Sequence, residues 1–300
     1  MSTTNHLSAT LPPASADFDR PEPQAHTGPE LIETVIRARP GWIAINWDEL
    51  IQSHELFYTL VSRDLMVRYK QTVLGVAWAV IQPVLSMVVF TVIFGMLLKI
   101  KTDVPYPLFS YAALVPWMFF ANAVSGASLS LLTQQHLLTK IYFPRLYVPA
   151  AAIGGFLVDM AIGLGLFAIL MPIYRFVPGW GLLALPLLVV LTFAATLGIG
   201  LTLAAVTLLY RDLRFVIPFA LQIMIYVSGV QVPMDSLPRP IQLAAALNPM
   251  YGIIVAYRSS ILGMPWDLGA LAVSTLSTAA ILAFGLFFFR RTERLIADIA

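Results

Sequence analysis

Few residues in this 300-residue chain could carry chemistry of their own. There is no cysteine, which excludes disulfides, thiolate catalysis and cysteine-bound zinc. The four histidines stand far apart in the sequence, and each fits a surface side chain better than a metal ligand. The chain contains no G-x-x-x-x-G-K-[ST] loop and no Gly-Lys pair, so it lacks the phosphate cradle of a P-loop nucleotidase. Any active work must therefore draw its energy from a partner or an ion gradient.

Asp159 is the one acid that clearly falls in the middle of a long apolar segment. Acids at membrane depth are costly and are candidates for functional sites. The sequence shows no basic partner at the same depth, which favours a structural or gating role over ion coupling. A lone buried charge usually neutralises, so a protonated Asp159 or one bonded to a neighbouring helix is the alternative.

The amino-acid composition indicates which kind of fold must hold Asp159 and the other candidate residues in place. The chain is 59% hydrophobic and 11% charged, whereas soluble domains carry roughly 25% charged residues. Several apolar runs reach the roughly 20 residues that a membrane span needs. The alternation of a β-barrel is missing, so the expected fold class is an all-α membrane protein. A net charge of +2 gives no reason to expect nucleic-acid binding.

The predicted organisation has four parts. Residues 1–47 form a cytoplasmic tail, largely disordered because residues 1–29 hold almost no large apolar side chains. Residues 48–71 form an amphipathic interface helix, and 72–292 form a six-helix transmembrane domain. Residues 293–300 form a C-terminal cytoplasmic tail. The six predicted spans are about 73–98, 107–132, 147–174, 181–209, 215–233 and 267–289.

Two segments are too polar or too short to span. In the interface helix, a stripe of apolar side chains predicts a helix lying at the membrane surface, and a plain solvated helix is the alternative. The stripe consists of Leu50, Phe57, Tyr58, Val61 and Leu65. Two apolar pieces meet at Asn248-Pro249, and they predict a re-entrant periplasmic hairpin at about 238–263. A loop lying on the surface is the alternative there.

Basic residues set the expected orientation. With the N-terminus inside, ten Lys and Arg residues flank the inner ends of the spans and five flank the outer ends. This bias predicts that both termini are cytoplasmic. The ten are Arg63, Arg68, Lys70, Lys140, Arg145, Arg211, Arg214, Arg290, Arg291 and Arg294; the five are Lys99, Lys101, Arg175, Arg239 and Arg258.

Helix packing and aromatic side chains suggest further features. Pro83 should kink the first span, and Gln82 beside it could line a polar pore. Small residues four apart, Ala161/Gly165 and Ala194/Gly198/Thr202, predict close helix packing. Aromatic residues near the outer side favour an interfacial belt. The alternative is a lining along which sugar rings slide.

Four segments carry a resemblance to a known family. They are RDLMVRYKQTVLGVAWAVIQPVL (63–85), LLTKIYFPRLYVP (137–149), YRDLRFVIPF (210–219) and LNPMYGIIVAYRSSILG (247–263). In this order they resemble the permeases of ABC exporters for polysaccharides and polyol phosphates. The resemblance covers about residues 50–292 and leaves out the N-terminal tail.

The resemblance implies an assembly and a role. Two copies of the permease form a channel in the inner membrane, two ABC ATPase subunits dock below, and a lipid-linked polysaccharide such as O-antigen or capsule is exported. The chain needs no cofactor, because ATP and Mg²⁺ are bound by the ATPase, and it is not expected to be an enzyme. The alternatives are an ABC exporter of a drug or small lipid, an ion-coupled carrier and a membrane-bound transferase acting on lipid-linked sugars.

Two sets of residues follow as candidates. For coupling to the ATPase, the helix 48–70 and the loop 133–146 supply Arg63, Arg68, Lys70, His136, Lys140, Phe143, Pro144 and Arg145. For lining the channel, the candidates are Trp78, Gln82, Tyr111, Trp117, Phe120, Tyr226 and Tyr251.

Overall fold

The computed structural model describes residues 54–70, 75–135, 143–233 and 238–299, with side chains as far as residue 292. The predicted tail 1–47 and the start of the interface helix lie outside these ranges. The helices are α1 (His54–Lys70), α2 (Ala77–Phe90, continued by a π-helix, Thr91–Leu97), α3 (Tyr106–Thr133), α4 (Tyr147–Ile173), α5 (Leu185–Leu209, preceded by a 3₁₀ turn, Trp180–Ala184), α6 (Leu213–Val227), α7 (Arg239–Ala245), α8 (Pro249–Leu262) and α9 (Leu268–Ile299).

Five helices in the described part of the chain are long and apolar enough to cross a bilayer: α2 with its π-helical end, α3, α4, α5 with its 3₁₀ turn, and α9 as far as Thr292. The predicted fifth span, 215–233, is replaced by the 15-residue helix α6. At 1.5 Å per residue, α6 is about 22 Å long, short of the roughly 30 Å hydrocarbon core. It ends at Ser228, and Gly229 follows with a φ of +69° that a side chain would rarely adopt. Six membrane-long helices are therefore not confirmed.

Helix α3 forms the centre of the bundle. About 78% of its most apolar stretch is buried, against 11–28% in the other four long helices. It packs against α4, α5 and α8, and the main apolar cluster of the protein is built around it. The other long helices expose apolar faces, as expected of helices that contact lipid. A polar substitution in α3 therefore meets protein on nearly every side.

Helices α5 and α9 cross at two glycines. A Cβ on Gly198 would lie 2.7 Å from the backbone nitrogen of Leu282, and one on Gly285 would collide with the Gly198 carbonyl oxygen. The predicted close packing therefore holds at Gly198, where small residues allow backbones to approach. It does not hold at Gly165, where a Cβ would meet nothing within 4 Å.

Helices α7 and α8 break at Asn248-Pro249, where the sequence predicted a break. The Asn248 side chain accepts a hydrogen bond from the Met250 backbone N–H at 3.1 Å and donates one to the Ser228 hydroxyl at 2.8 Å. It therefore caps α8 and ties it to the end of α6. Helix α8 is buried along most of its length. The re-entrant position of this hairpin in a membrane stays a prediction.

The helix ends gather at two opposite ends of the bundle. At the Phe143 end, one apolar cluster joins Leu131 of α3, Val148 of α4, Leu208 of α5 and Phe289 of α9 to Phe143. At the opposite end, Arg258 binds carbonyl oxygens in the segment that follows α6. We call these the Phe143 end and the Arg258 end. The Phe143 end is the one that the sequence predicts to face the cytoplasm.

Candidate site between helices α1 and α4

Helix α1 runs alongside the first half of α4. The rings of Phe57 and Tyr147 lie 5.7 Å apart, and further along α1 the Val61 side chain lies against Gly154. Contacts follow in the same order on both helices, so the two run in the same direction. Eleven residues of helix advance by about 16 Å, so the C-terminal end of α1 reaches the middle of α4.

The buried face of α1 differs from the predicted stripe. Phe57, Val61 and Leu65 are half-buried, but Leu60, outside the stripe, is the most buried side chain, at 3% exposure. Tyr58 is 65% exposed and points away from the protein. The face that packs on the protein is set by contacts with Tyr147 and its neighbours in α4, and the position of the apolar stripe at a membrane surface stays a prediction.

Asp159 is joined to two side chains at the end of α1. Arg68 donates a hydrogen bond from Nη1 to Asp159 Oδ2 at 2.9 Å, and the Tyr69 hydroxyl donates to Oδ1. The Arg68 guanidinium also stacks over the Phe156 ring at 3.6 Å and lies 3.5 Å from the Gly155 carbonyl oxygen. The expectation that Asp159 has no basic partner at its depth is therefore wrong, because α1 extends to that depth.

A cavity of about 360 Å³ lies beside this ion pair, and residues of α1, α2, α3 and α4 line it. Two predicted channel residues, Trp78 and Gln82, lie in its wall together with Asn122 of α3. Trp78 is 50% exposed. Its remaining lining consists of Gly75, Ala79, Pro83, Val115, Met118, Phe119, Met160 and Gly163, with Arg68, Tyr69, Phe156 and Asp159.

A second cavity, of about 260 Å³, lies on the other side of Arg68 and Phe156, which line both. It extends toward the Phe143 end, where Thr133 and Gln134 close α3. The stacked Arg68 and Phe156 therefore separate a space at the Phe143 end from the larger cavity.

The other predicted channel residues have two kinds of position. Tyr111, Phe120 and Tyr251 are at most 2% exposed, and Trp117 is 4% exposed. Tyr111 donates a hydrogen bond to the Gly163 carbonyl oxygen at 2.9 Å, so it fixes α3 to α4. These four rings belong to the core of a single chain, because their helices pack on all sides. Tyr226 of α6 is 64% exposed. The prediction that Tyr226, Trp78 and Gln82 line a channel stays a prediction.

The predicted coupling residues cluster only in part. Phe143 is 9% exposed and packs in the apolar cluster that the α1 residue Leu56 also contacts. Phe143, at the end of the loop, and Leu56 of the interface helix therefore meet at the Phe143 end, and their role in coupling stays a prediction. The Pro144 carbonyl oxygen accepts the Tyr147 backbone N–H at 3.0 Å and begins α4.

The remaining coupling candidates lie apart from that cluster. Arg63 pairs with its neighbour Asp64 at 2.9 Å, and Lys70 is exposed at the end of α1. Arg145 lies in the turn before α4. His136 and Lys140 lie outside the described residues. Arg68 is turned inward to Asp159, so it does not flank the bundle as the orientation argument assumed.

Arg258 is a structural residue that sequence reasoning placed on an outer flank. It is 4% exposed and donates hydrogen bonds to the carbonyl oxygens of Gly229 at 2.9 Å and Val230 at 2.7 Å. Its guanidinium lies 3.6 Å from the centre of the Phe109 ring. It therefore fastens α8 to α3 and to the segment after α6. An arginine in an otherwise apolar helical segment was the available signal.

Residues 55–262, from the start of α1 to the end of α8, match the ABC-2 type transporter family of membrane proteins. The chain belongs to the ABC-2 transporter family. The matched segment contains the ion pair, both cavities and the Asn248 cap. With five helices long enough to span a bilayer, this ABC-2 protein is a multi-pass membrane protein.

Named ABC-2 relatives share most of the chain. The O-antigen export system permease protein RfbA of Myxococcus xanthus is 28% identical over 70% of this chain and 82% of its own length. The protein of the same name in Klebsiella pneumoniae is 22% identical over 82% of this chain and 95% of its own. The polysialic acid transport protein KpsM of Escherichia coli is 24% identical over 78% of this chain and 92% of its own.

Proposed function

We propose that this ABC-2 protein is the permease subunit of an exporter that carries a lipid-linked polysaccharide across the inner membrane. Two copies would form the channel, and two separate ABC ATPases would bind and hydrolyse ATP with Mg²⁺. The observation that carries the proposal is the likeness, over most of the chain, to relatives named for O-antigen export and polysialic acid transport. The absence of a P-loop from the sequence is consistent with a separate ATPase.

The contacts between α1 and α4 support a path by which motion of the ATPases would reach the membrane helices. ATP-driven closure of the ATPases would press on the Phe143 end, where Leu56 of α1 and Phe143 share one apolar cluster. The Arg68–Asp159 pair joins the other end of α1 to the middle of α4. A displacement of α1 would therefore move α4 along half of its length. The wall of the larger cavity, built from these helices, would change shape with it.

Deletion of the gene in its host tests the cargo. Cells lacking the permease should lose surface polysaccharide and retain the lipid-linked polymer inside, and a plasmid copy of the chain should restore export. Separation of surface and internal polymer on gels measures both. Normal surface polysaccharide in the deletion strain would refute the proposal. Loss of drug resistance with unchanged polysaccharide would favour the drug-exporter alternative.

Charge reversal tests coupling to the ATPase. Lys140→Glu and Arg145→Glu together should leave ATP hydrolysis in the purified complex but abolish export, because both basic residues belong to the proposed docking loop. Arg175→Glu, in a loop at the Arg258 end, is the matched control and should leave export intact. Full export by the double variant would discard this docking surface.

A further inference from the structure

We propose that the cavity between α1 and α4 is a binding site for one uncharged sugar ring of the cargo, with Trp78 as its stacking platform. This inference rests on the proposed function and adds a defined site to it. The cavity measures about 360 Å³, within the size range of small-molecule pockets of roughly 300–1,000 Å³. Trp78 lines the cavity and is 50% exposed, so its indole remains accessible.

Polar groups that face the cavity indicate a polar ligand. The side-chain amides of Gln82 and Asn122 form no hydrogen bond with any residue that the structure describes. Each amide offers two donors and an acceptor. Gln82 is exposed, whereas Asn122 is half-buried in a largely apolar wall, where an amide without a partner is costly. In a spanning helix, such groups need a polar ligand or water. An acyl chain would leave both amides unsatisfied.

The charged side chains of the cavity disfavour the binding of a charged ligand. Arg68 is the cationic side chain of the cavity lining and Asp159 the anionic one, and they bind one another at 2.9 Å. A phosphate approaching Arg68 would meet the Asp159 carboxylate, and a cation approaching Asp159 would meet the guanidinium. The site is therefore neutral as a whole, which favours an uncharged ligand with many hydroxyls.

Asp159 is held in position to accept such hydroxyls. A carboxylate has about four acceptor positions, and Arg68 and Tyr69 use two of them. Free acceptor positions on Asp159 and the amides of Gln82 and Asn122 can bind hydroxyls on the rim of a sugar ring. The Trp78 indole can contact the C–H face of the same ring. Aromatic faces offer a large apolar contact of fixed geometry.

Saturation-transfer NMR on the purified permease–ATPase complex in nanodiscs tests the site. The probes are the methyl glycosides of glucose, galactose, mannose, N-acetylglucosamine and N-acetylgalactosamine, with sodium pyrophosphate as the anionic competitor. At least one glycoside should bind, and Trp78→Leu or Asn122→Leu should weaken it by about tenfold or more, equivalent to roughly 1.4 kcal/mol. Pyrophosphate should not displace it.

Trp180→Leu is the matched control, because Trp180 is 90% exposed and lies at the Arg258 end. It should leave binding unchanged. Binding of none of the five glycosides, binding unaffected by Trp78→Leu and Asn122→Leu, or displacement by pyrophosphate would each overturn the proposed site. If none binds while the deletion strain still loses surface polysaccharide, the site is wrong and the export function stands. If glycosides bind as expected but the deletion strain exports normally, the site stands and the export function is wrong.

Discussion

Arg68 and Asp159 are joined across 91 positions of sequence and remain partly accessible, with side chains 29% and 23% exposed. Partial exposure lowers the cost of desolvating the two charges. Removing one partner still leaves the other in a largely apolar wall, which is worse than removing both. Each residue is therefore held in place by its partner.

Single and double substitutions measure this dependence. Asp159→Asn and Arg68→Gln should each lower the stability of the purified protein by about 1–3 kcal/mol, because each leaves an uncompensated group. The double variant should cost less than the two losses together. Thermal unfolding in detergent provides the measurement. Arg63→Gln breaks a pair between two neighbours within α1 and should change stability by at most about 0.5 kcal/mol. Strictly additive losses at positions 68 and 159 would contradict the pairing between helices.

Asp267 forms a second ion pair, at the start of α9. Arg239 Nη2 donates to Asp267 Oδ1 at 2.7 Å, and the Ala270 backbone N–H donates to the same oxygen at 2.9 Å. Hydrogen bonds from Arg239 hold the pKa of Asp267 below its ordinary value of 3.8. A carboxyl with a lowered folded-state pKa stabilises the fold above its unfolded pKa and loses that effect as pH falls through the folded value.

Stability should therefore depend on pH through this pair. Asp267→Asn should lower the melting temperature at pH 7, since Asn keeps the helix cap and removes only the charge. The difference from the native protein should shrink as pH falls below 3.8. Melting curves across this pH range test it, with Asp103→Asn, in a loop at the same end, as the control. A difference that persists at the lowest pH would exclude the ion pair as its cause.

Sequence reasoning identified Asp159 and missed its partner for one physical reason. A lone acid in an apolar run is visible in the sequence, because its cost depends on its immediate neighbours. Its partner Arg68 lies in a helix that looked superficial, since it carries too many charged and polar residues to span a membrane. Only the packing of α1 along α4 brings the two together. Tyr69, which also binds Asp159, carried no signal of its own.

At the scale of helices, close packing can be tested with matched glycines. Gly198→Ala should lower stability by roughly 1–3 kcal/mol, because the new methyl group meets the α9 backbone at 2.7 Å. Gly165→Ala is the control, because its side chain would meet nothing within 4 Å. It should leave stability equal or slightly higher, since alanine favours helix. Equal melting temperatures for the two variants would contradict the close crossing.

The positions of helices could be predicted from the sequence where apolar composition determines them. They were harder to predict where packing between helices determines them. All five membrane-long helices begin and end within about four residues of predicted spans, because long apolar runs need internal hydrogen bonding. Helix α6 ends early, because the chain turns at Gly229 inside an apolar run. The buried rings of Tyr111 and Phe120 were not distinguishable from surface aromatics, since large apolar side chains lie on every side of α3.

The two ends of the bundle differ in the number of basic residues that the sequence assigns to them. The count of basic flanking residues placed Arg68 on the inner side and Arg258 on the outer side. Both side chains are turned into the protein. Each side therefore loses one positive charge, and the excess of basic residues stays on the inner side. Arg211 and Arg214 lie at the Phe143 end, between α5 and α6. Because basic loops stay in the cytoplasm, the Phe143 end should face inward.

Single cysteines can test this orientation, since the native chain has none. Val177 lies at the Arg258 end and is 84% exposed, and Tyr210 lies at the Phe143 end and is 67% exposed. A membrane-impermeant maleimide should label Val177→Cys in intact spheroplasts and should label Tyr210→Cys only after the membrane is permeabilised. The cysteine-free chain is the control and should take no label. The reverse pattern would place the Phe143 end outside, and an ATPase in the cytoplasm could not then press on the contacts between α1 and Phe143.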